Sequence, residues 1–225
     1  MRQLRRTTAG LIAASLAVLA GSSLAGCGAP SYVYASDAAD QAYFEVPATW
    51  HEVSPLFVSE TQESLLTKSL AGAAGGPFIW SRAYAAASSP SSVSLLEASN
   101  TPVVYASVQT LRDSLRGNLS FNVMRDLLFP VTPSARQLAT EEGDTLTGFV
   151  LLDNITITNK YGMRGINELY EYDIAGQPDA FDQTVLTNAA TTKLYLLLVQ
   201  CYQACFVENE QKIEAVVESF SVGGS

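Results

Sequence analysis

The chain has 225 residues, 48% of them hydrophobic, with 13 Lys+Arg against 22 Asp+Glu and a net charge of −9. Such a length buries a sizeable core within one domain. The acidic balance excludes a nucleic-acid binder and a protein drawn to anionic membranes by its own charge, both of which need clustered Lys/Arg.

The N-terminus, MRQLRRTTAGLIAASLAVLAGSSLAGC, starts with Arg2, Arg5 and Arg6. An apolar stretch from Leu11 to Ala20 follows, then small residues up to Cys27. Positive start, apolar run too short to span a bilayer comfortably and small-residue processing site together read as a secretory signal. Thr7 and Thr8 follow Arg5-Arg6 where a twin-arginine signal has an apolar residue, which favours the ordinary Sec route. Leu24-Ala25-Gly26-Cys27 resembles the bacterial lipobox. That resemblance implies a diacylglyceryl group on the Cys27 thiol and cleavage just before it. The alternative is an ordinary signal peptide cut near Ala25, with Cys27 a bystander.

Removing residues 1–26 takes away three of the 13 Lys+Arg and none of the Asp+Glu, leaving 199 residues of net charge −12. With no basic patch to help, the lipid must do the anchoring, and two or three acyl chains hold where one does not. The expected location is the cell membrane, lipid-anchored on its extracytoplasmic face. Residues 27–40 lack periodicity and read as a lipidated tether, followed by a single domain over 41–222.

Tyr43 to Val46 reads as a short strand that Pro47 and Trp50 turn toward His51. Thr61 to Ala71 fits a helix with Leu65, Leu66 and Leu70 on one face, ended by GAAGGP. Phe78–Ala83 and Val103–Leu111 read as strands, with a low-complexity loop, AAASSPSSVS, between them. Phe121, Met124 and Leu128, with Val123 and Leu127, recur at helical spacing until Pro130. Phe149, Leu151, Ile155 and Ile157 alternate along a strand, Asn159 to Gly162 turns, and Leu169–Ile174 returns with Tyr170 and Tyr172 on one face. LYLLLV, residues 194–199, is continuously apolar and suits a central strand covered on both sides. Ile213, Val216, Val217 and Phe220 then mark one face of a closing helix with Asn209 as its N-cap.

Turn-linked strands with helices at both ends of the order predict an α/β fold: an antiparallel sheet covered by helices on both faces, an α/β/α sandwich. At its two ends the domain resembles a known family. YFEVPATWHEV is similar to the strand–Pro–Trp opening of Mog1/PsbP-like domains, which are carried by exported, many of them actinobacterial, lipoproteins. TTKLYLLLVQCYQACFVENEQKIEAVVESFSV is similar to their last strand and closing helix. The resemblance implies the same antiparallel sheet between helical layers, and it brings no catalytic signature and no metal motif.

Chemistry is sparse. With His51 the one histidine, HExxH and C2H2 metal sites are excluded. GxSxG, GxGxxG and P-loop motifs are absent from the sequence. No catalytic residue, metal site or cofactor is therefore assigned. His51 is the centre of the weakest reading, a hydrolase. Glu141-Glu142-Gly143-Asp144 could hold calcium but lacks the alternating ligands of an EF-hand and reads as a solvated loop. Cys201 and Cys205 have three residues between them, one too many for a redox CxxC. In an exported protein they are expected to form a structural disulfide. Along one extended strand their Cα atoms would stand about 13 Å apart at roughly 3.3 Å per residue, so a bridge requires a turn between them.

The leading expectation is a membrane-anchored, non-enzymatic binding or assembly module of the cell envelope. Its partners are the membrane, through the N-terminal lipid, and an envelope protein or ligand of unknown identity. The alternative is a small-molecule or lipid carrier with a cavity between sheet and helices.

Overall fold

A computed structural model of the chain describes residues 31–59, 62, 75–88, 90, 99–116, 119–159 and 162–223. Cys27, residues 61 and 63–71 of the expected first helix, and much of the 85–94 loop lie outside the described residues.

The central sheet has seven strands in the order β3-β4-β5-β9-β8-β7-β6, and every neighbouring pair is antiparallel. They are β3 (His51–Glu52), β4 (Gly75–Ala85), β5 (Val103–Leu111), β6 (Thr147–Thr158), β7 (Arg164–Ile174), β8 (Gln177–Thr187) and β9 (Lys193–Tyr202). The LYLLLV strand lies in the middle of the order, between β5 and β8, and its side chains are buried on both faces. Leu194 and Leu196 enter one core; Leu197 and Val199 enter the other.

The first face is covered by short pieces: a helical stretch at 55–59, Leu119 after the exposed turn α1 (Asp113–Arg116), and α2 (Phe121–Arg125). Val58, Leu119, Met124 and Leu127 pack there on Tyr105, Ile166 and Val185. The expected helix to Pro130 stops at Arg125 because Asp126 organises the following loop. Its carboxylate accepts from Val131 N (2.8 Å), Thr132 N (2.7 Å) and Thr132 Oγ1 (2.7 Å).

The second face carries α4 (Gln203–Glu208) and α5 (Glu210–Ser219), which insert Phe206, Ile213 and Val216. Helices do lie on both faces, but a three-stranded sheet, β1-β2-β10, shares this one. Its strands are β1 (Tyr32–Asp37), β2 (Ala42–Pro47) and β10 (Ser221–Val222). Strand β1 corrects the tether reading of 27–40: Tyr32–Asp37 pairs along its whole length with β2. Alternation explains this, since Ala35 faces Phe44 in the register and both are buried. Asn209 stands at the N-cap of α5 but makes no side-chain cap bond there. Its Nδ2 donates instead to the Cys205 carbonyl at 2.9 Å, tying α4 to α5.

Candidate binding edge

Strand β6, TGFVLLDNITIT, closes the sheet on one side, and among the described residues no strand pairs with its outer edge. Its β-branched residues suit an extended backbone. Two register irregularities interrupt its pairing with β7, one between Thr147 and Val150 and one between Leu151 and Asp153. The second changes which face each side chain takes. Phe149 packs on Tyr170 and Tyr172 in the aromatic cluster of the first face. Ile157, of the same parity, joins Leu186 and Tyr195 on the second face. One extra residue in a strand inverts the alternation after it. The sequence pattern, which set Phe149, Leu151, Ile155 and Ile157 on one face, is corrected here.

The inversion leaves apolar side chains in water on both sides of the edge. Val150, Leu151, Leu152 and Ile155 are 45%, 44%, 51% and 49% exposed. A long edge strand with free backbone groups and apolar side chains is a template for another extended chain. Arg125 holds the middle of the strand, its Nη2 donating to Asn154 Oδ1 at 3.1 Å. Arg136 holds the start: its guanidinium carbon lies 4.0 Å from the Phe149 ring centre, and its Nη1 donates to Val131 O at 2.6 Å.

Arg136 comes from α3 (Pro133–Glu141), a helix without an apolar stripe in the sequence. Thr132 caps its start, accepting from Ala135 N at 3.3 Å, with Pro133 in the first turn. Its end passes through the acidic Glu141–Asp144 stretch. Gly143, at φ 86°, allows the chain to leave the helix, with Gly143 N bonded to Thr140 O and Asp144 N to Ala139 O. Asp144 Oδ1 accepts from Leu146 N at 3.1 Å. The acidic stretch is thus a helix terminus and turn. Among the described residues no group of three or more His, Cys, Asp or Glu could hold a metal ion.

Between α3 and the start of β6 lies a hollow of about 210 Å³, lined by Arg136, Thr140, Asp144, Phe149 and Tyr172 among others. Ligand pockets run about 300–1,000 Å³, so this hollow suits a side chain better than a carried lipid. Behind the edge, on the second face, Asn167 Nδ2 donates to Asp182 Oδ1 at 2.6 Å. Burial pushes the Asp182 carboxyl up to about 6; the Asn167 bond opposes the shift and Asp153 adds to it.

The remaining candidates lie elsewhere. Cys201 and Cys205 form a disulfide with Cα atoms 6.0 Å apart, where β9 ends and α4 begins. His51 is exposed on two-residue β3, at the opposite end of the sheet order from β6. It does not line the 210 Å³ hollow or the 100 Å³ one beside Glu52 and Arg82. The structure brings together neither the cysteine pair and His51 nor either of them and the β6 edge. That edge was missed by the sequence reading, and its one signal was the apolar VLL run at 150–152.

No protein-family model matches the chain, and no curated protein matches its sequence. Its fold is similar to that of the cyanobacterial PsbP from Synechocystis (TM-score 0.47, 17% identity, covering 88% of this chain and 96% of that one). It is also similar to the Ran-binding protein Mog1p of Saccharomyces cerevisiae (TM-score 0.43, 10% identity, 85% and 95%). A third similar structure is LpqN, involved in cell envelope biogenesis of Mycobacterium tuberculosis (TM-score 0.43, 12% identity, 88% and 88%). At such identities the likeness concerns the course of the chain and transfers no ligand and no residue role.

Proposed function

We propose that this chain is an exported lipoprotein, acylated on Cys27 and held on the extracytoplasmic face of the cell membrane, where it acts as a binding module without catalysis. The observation that carries the binding function is the open β6 edge, with four large apolar side chains about half exposed. Its occupant is an extended apolar segment of another envelope protein with basic flanks. Charge decides the choice. Asp153 sits in the edge itself, and Asp144, Glu171 and Asp173 lie on the turn before it and on the neighbouring strand. A second copy would bring the same carboxylates to a chain of mature net charge −12. Among the described residues, the cations beside the strand are engaged: Arg125 donates to Asn154, Arg136 lies over Phe149, and Arg164 donates to the Leu119 carbonyl.

The test is site-specific photocross-linking in the native envelope from a reactive residue at Ile155, with the same probe at exposed Val207 as control. The expected product from position 155, absent from 207, joins β6 to one segment of one other protein. A cross-link between two copies would make the edge a dimer contact, and equal products from both positions would remove the site.

A further inference from the structure

We propose that the outward face of the β1–β2 hairpin, carrying Tyr32, Tyr34 and Tyr43, lies in the headgroup layer of the bilayer that holds Cys27. The inference rests on the lipid-anchor reading above and gives it an orientation. In the hairpin register Tyr34 stands opposite Glu45 and Ser36 opposite Tyr43. Ala35, Phe44 and Val46, at the alternate positions, are buried at 4%, 0% and 0% exposure. Alternation then sends Tyr32, Tyr34 and Tyr43 to the opposite, outward face. Tyr34 is 68% exposed and Tyr43 45%. The two rings are diagonal neighbours across the strand pair, within reach of each other.

Chain length supplies the occupant. Four residues lie between Cys27 and Tyr32, and the five Cα–Cα steps from one to the other reach at most about 18 Å when fully extended. An acylated Cys27 sits at the membrane surface, so the start of β1 cannot leave that neighbourhood. A longer tether, as the sequence pattern had suggested, would set the domain free to turn; the strand removes that freedom.

The side chains match the layer. Tyrosine joins an apolar ring to a hydroxyl and favours the boundary where one end is apolar and the other wet. Glu45 is the carboxylate on this outward face, and Lys193, the cation nearest the hairpin turn, is paired with Asp40. Neither strand of the hairpin carries a Lys or Arg; such strands gain nothing from anionic lipid, so the match is to zwitterionic headgroups.

The experiment uses the full chain purified from its host and placed in phosphatidylcholine vesicles carrying a photoreactive lipid. Intact mass first reports acylation of Cys27, and flotation reports vesicle binding. After irradiation, lipid adducts are mapped on peptides. Adducts are expected on 32–47 and not on 147–158. Tyr34→Ser combined with Tyr43→Ser is expected to lower hairpin labelling by about ten-fold, equivalent to roughly 1.4 kcal/mol of contact with the interface. Acylated, floating protein whose adducts are spread evenly, or whose hairpin cross-links to protein instead, overturns the orientation alone. A chain without acyl mass that does not float overturns the anchor, and the orientation with it. Circular dichroism of the double variant checks that the hairpin still folds.

Discussion

Glu168 Oε1 accepts a hydrogen bond from Gln183 Nε2 at 3.3 Å, across neighbouring strands β7 and β8 and wholly inside the first face. The same Nε2 donates to Met124 O at 3.1 Å and Arg125 O at 3.2 Å, the carbonyls at the end of α2. Gln183 thus joins the sheet to its helical cover. Glu168 Oε2 is buried without a hydrogen-bond partner among the described residues. Burial pushes the Glu168 carboxyl up to about 8; Arg125 opposes the shift and Asp126 adds to it.

This raised value fixes the sign of a pH effect. The ordinary value is 4.5. Between it and about 8, the folded chain holds a proton on Glu168 that the unfolded chain has released. Stability therefore falls as pH rises through that window, by at most about 1.4 kcal/mol per pH unit. Asp179 and Asp182, raised mainly by burial to about 6, add to the fall only at its acidic end. Glu168→Gln is expected to flatten the urea-unfolding midpoint between pH 6.5 and 8 and to raise it most at pH 8. Parallel profiles for the two proteins would show that Glu168 does not titrate there.

Gly165 lies in β7 opposite Leu186 of β8. A Cβ there would press on the Val185 carbonyl oxygen and stand 2.8 Å from Leu186 Cα and 2.7 Å from its Cδ2. Backbone cannot move aside as a flexible side chain can. Gly165→Ala is expected to cost about 1–3 kcal/mol through overpacking. The measurement is a lower urea midpoint at unchanged slope; a neutral substitution would mean that β7 and β8 approach differently.

The Cys201–Cys205 bridge closes a loop with a sequence separation of four residues. In a chain-entropy picture so short a loop contributes about 2 kcal/mol. The Cys201→Ala/Cys205→Ala protein is expected to lose about that much stability, more where the two buried positions leave a cavity. Non-reducing peptide mapping of protein from the envelope should recover one linked peptide. Full alkylation of both thiols before reduction would refute the bridge.

What could be read from the sequence was the apolar frame. Val103–Leu111 is a strand with the bounds the pattern assigned, because seven of its first eight residues and the last are buried and both faces are apolar. Tyr170 and Tyr172 share a buried face as expected. Strand β8 escaped notice because it buries Asp179, Gln183 and Thr184 among its apolar residues; the partners of Gln183 and Thr184 come from α2 and β7, which no local pattern displays. The β6 edge escaped for another reason. Its bulge at Leu152 and its place at the end of the sheet are properties of the assembled fold. Apolar residues on a strand signal burial unless that strand lies at the edge of its sheet.

Exposure at the edge separates binding from stability. Leu152 and Ile155 are about half in water, so Leu152→Lys and Ile155→Lys are expected to change stability by no more than about 0.5 kcal/mol. Both put a cation where a basic-flanked apolar segment must dock, and lysine on an edge strand blocks pairing. The double variant should therefore lose the photocross-linked product while keeping the wild-type melting curve. Phe149→Lys is the contrasting change. It removes a ring packed on Tyr170 and Tyr172 and places a second cation beside Arg136, and it is expected to cost about 3 kcal/mol or more. If the double lysine variant keeps its partner, the segment docks elsewhere. If it unfolds, Leu152 and Ile155 belong to the core and β6 is not an open edge.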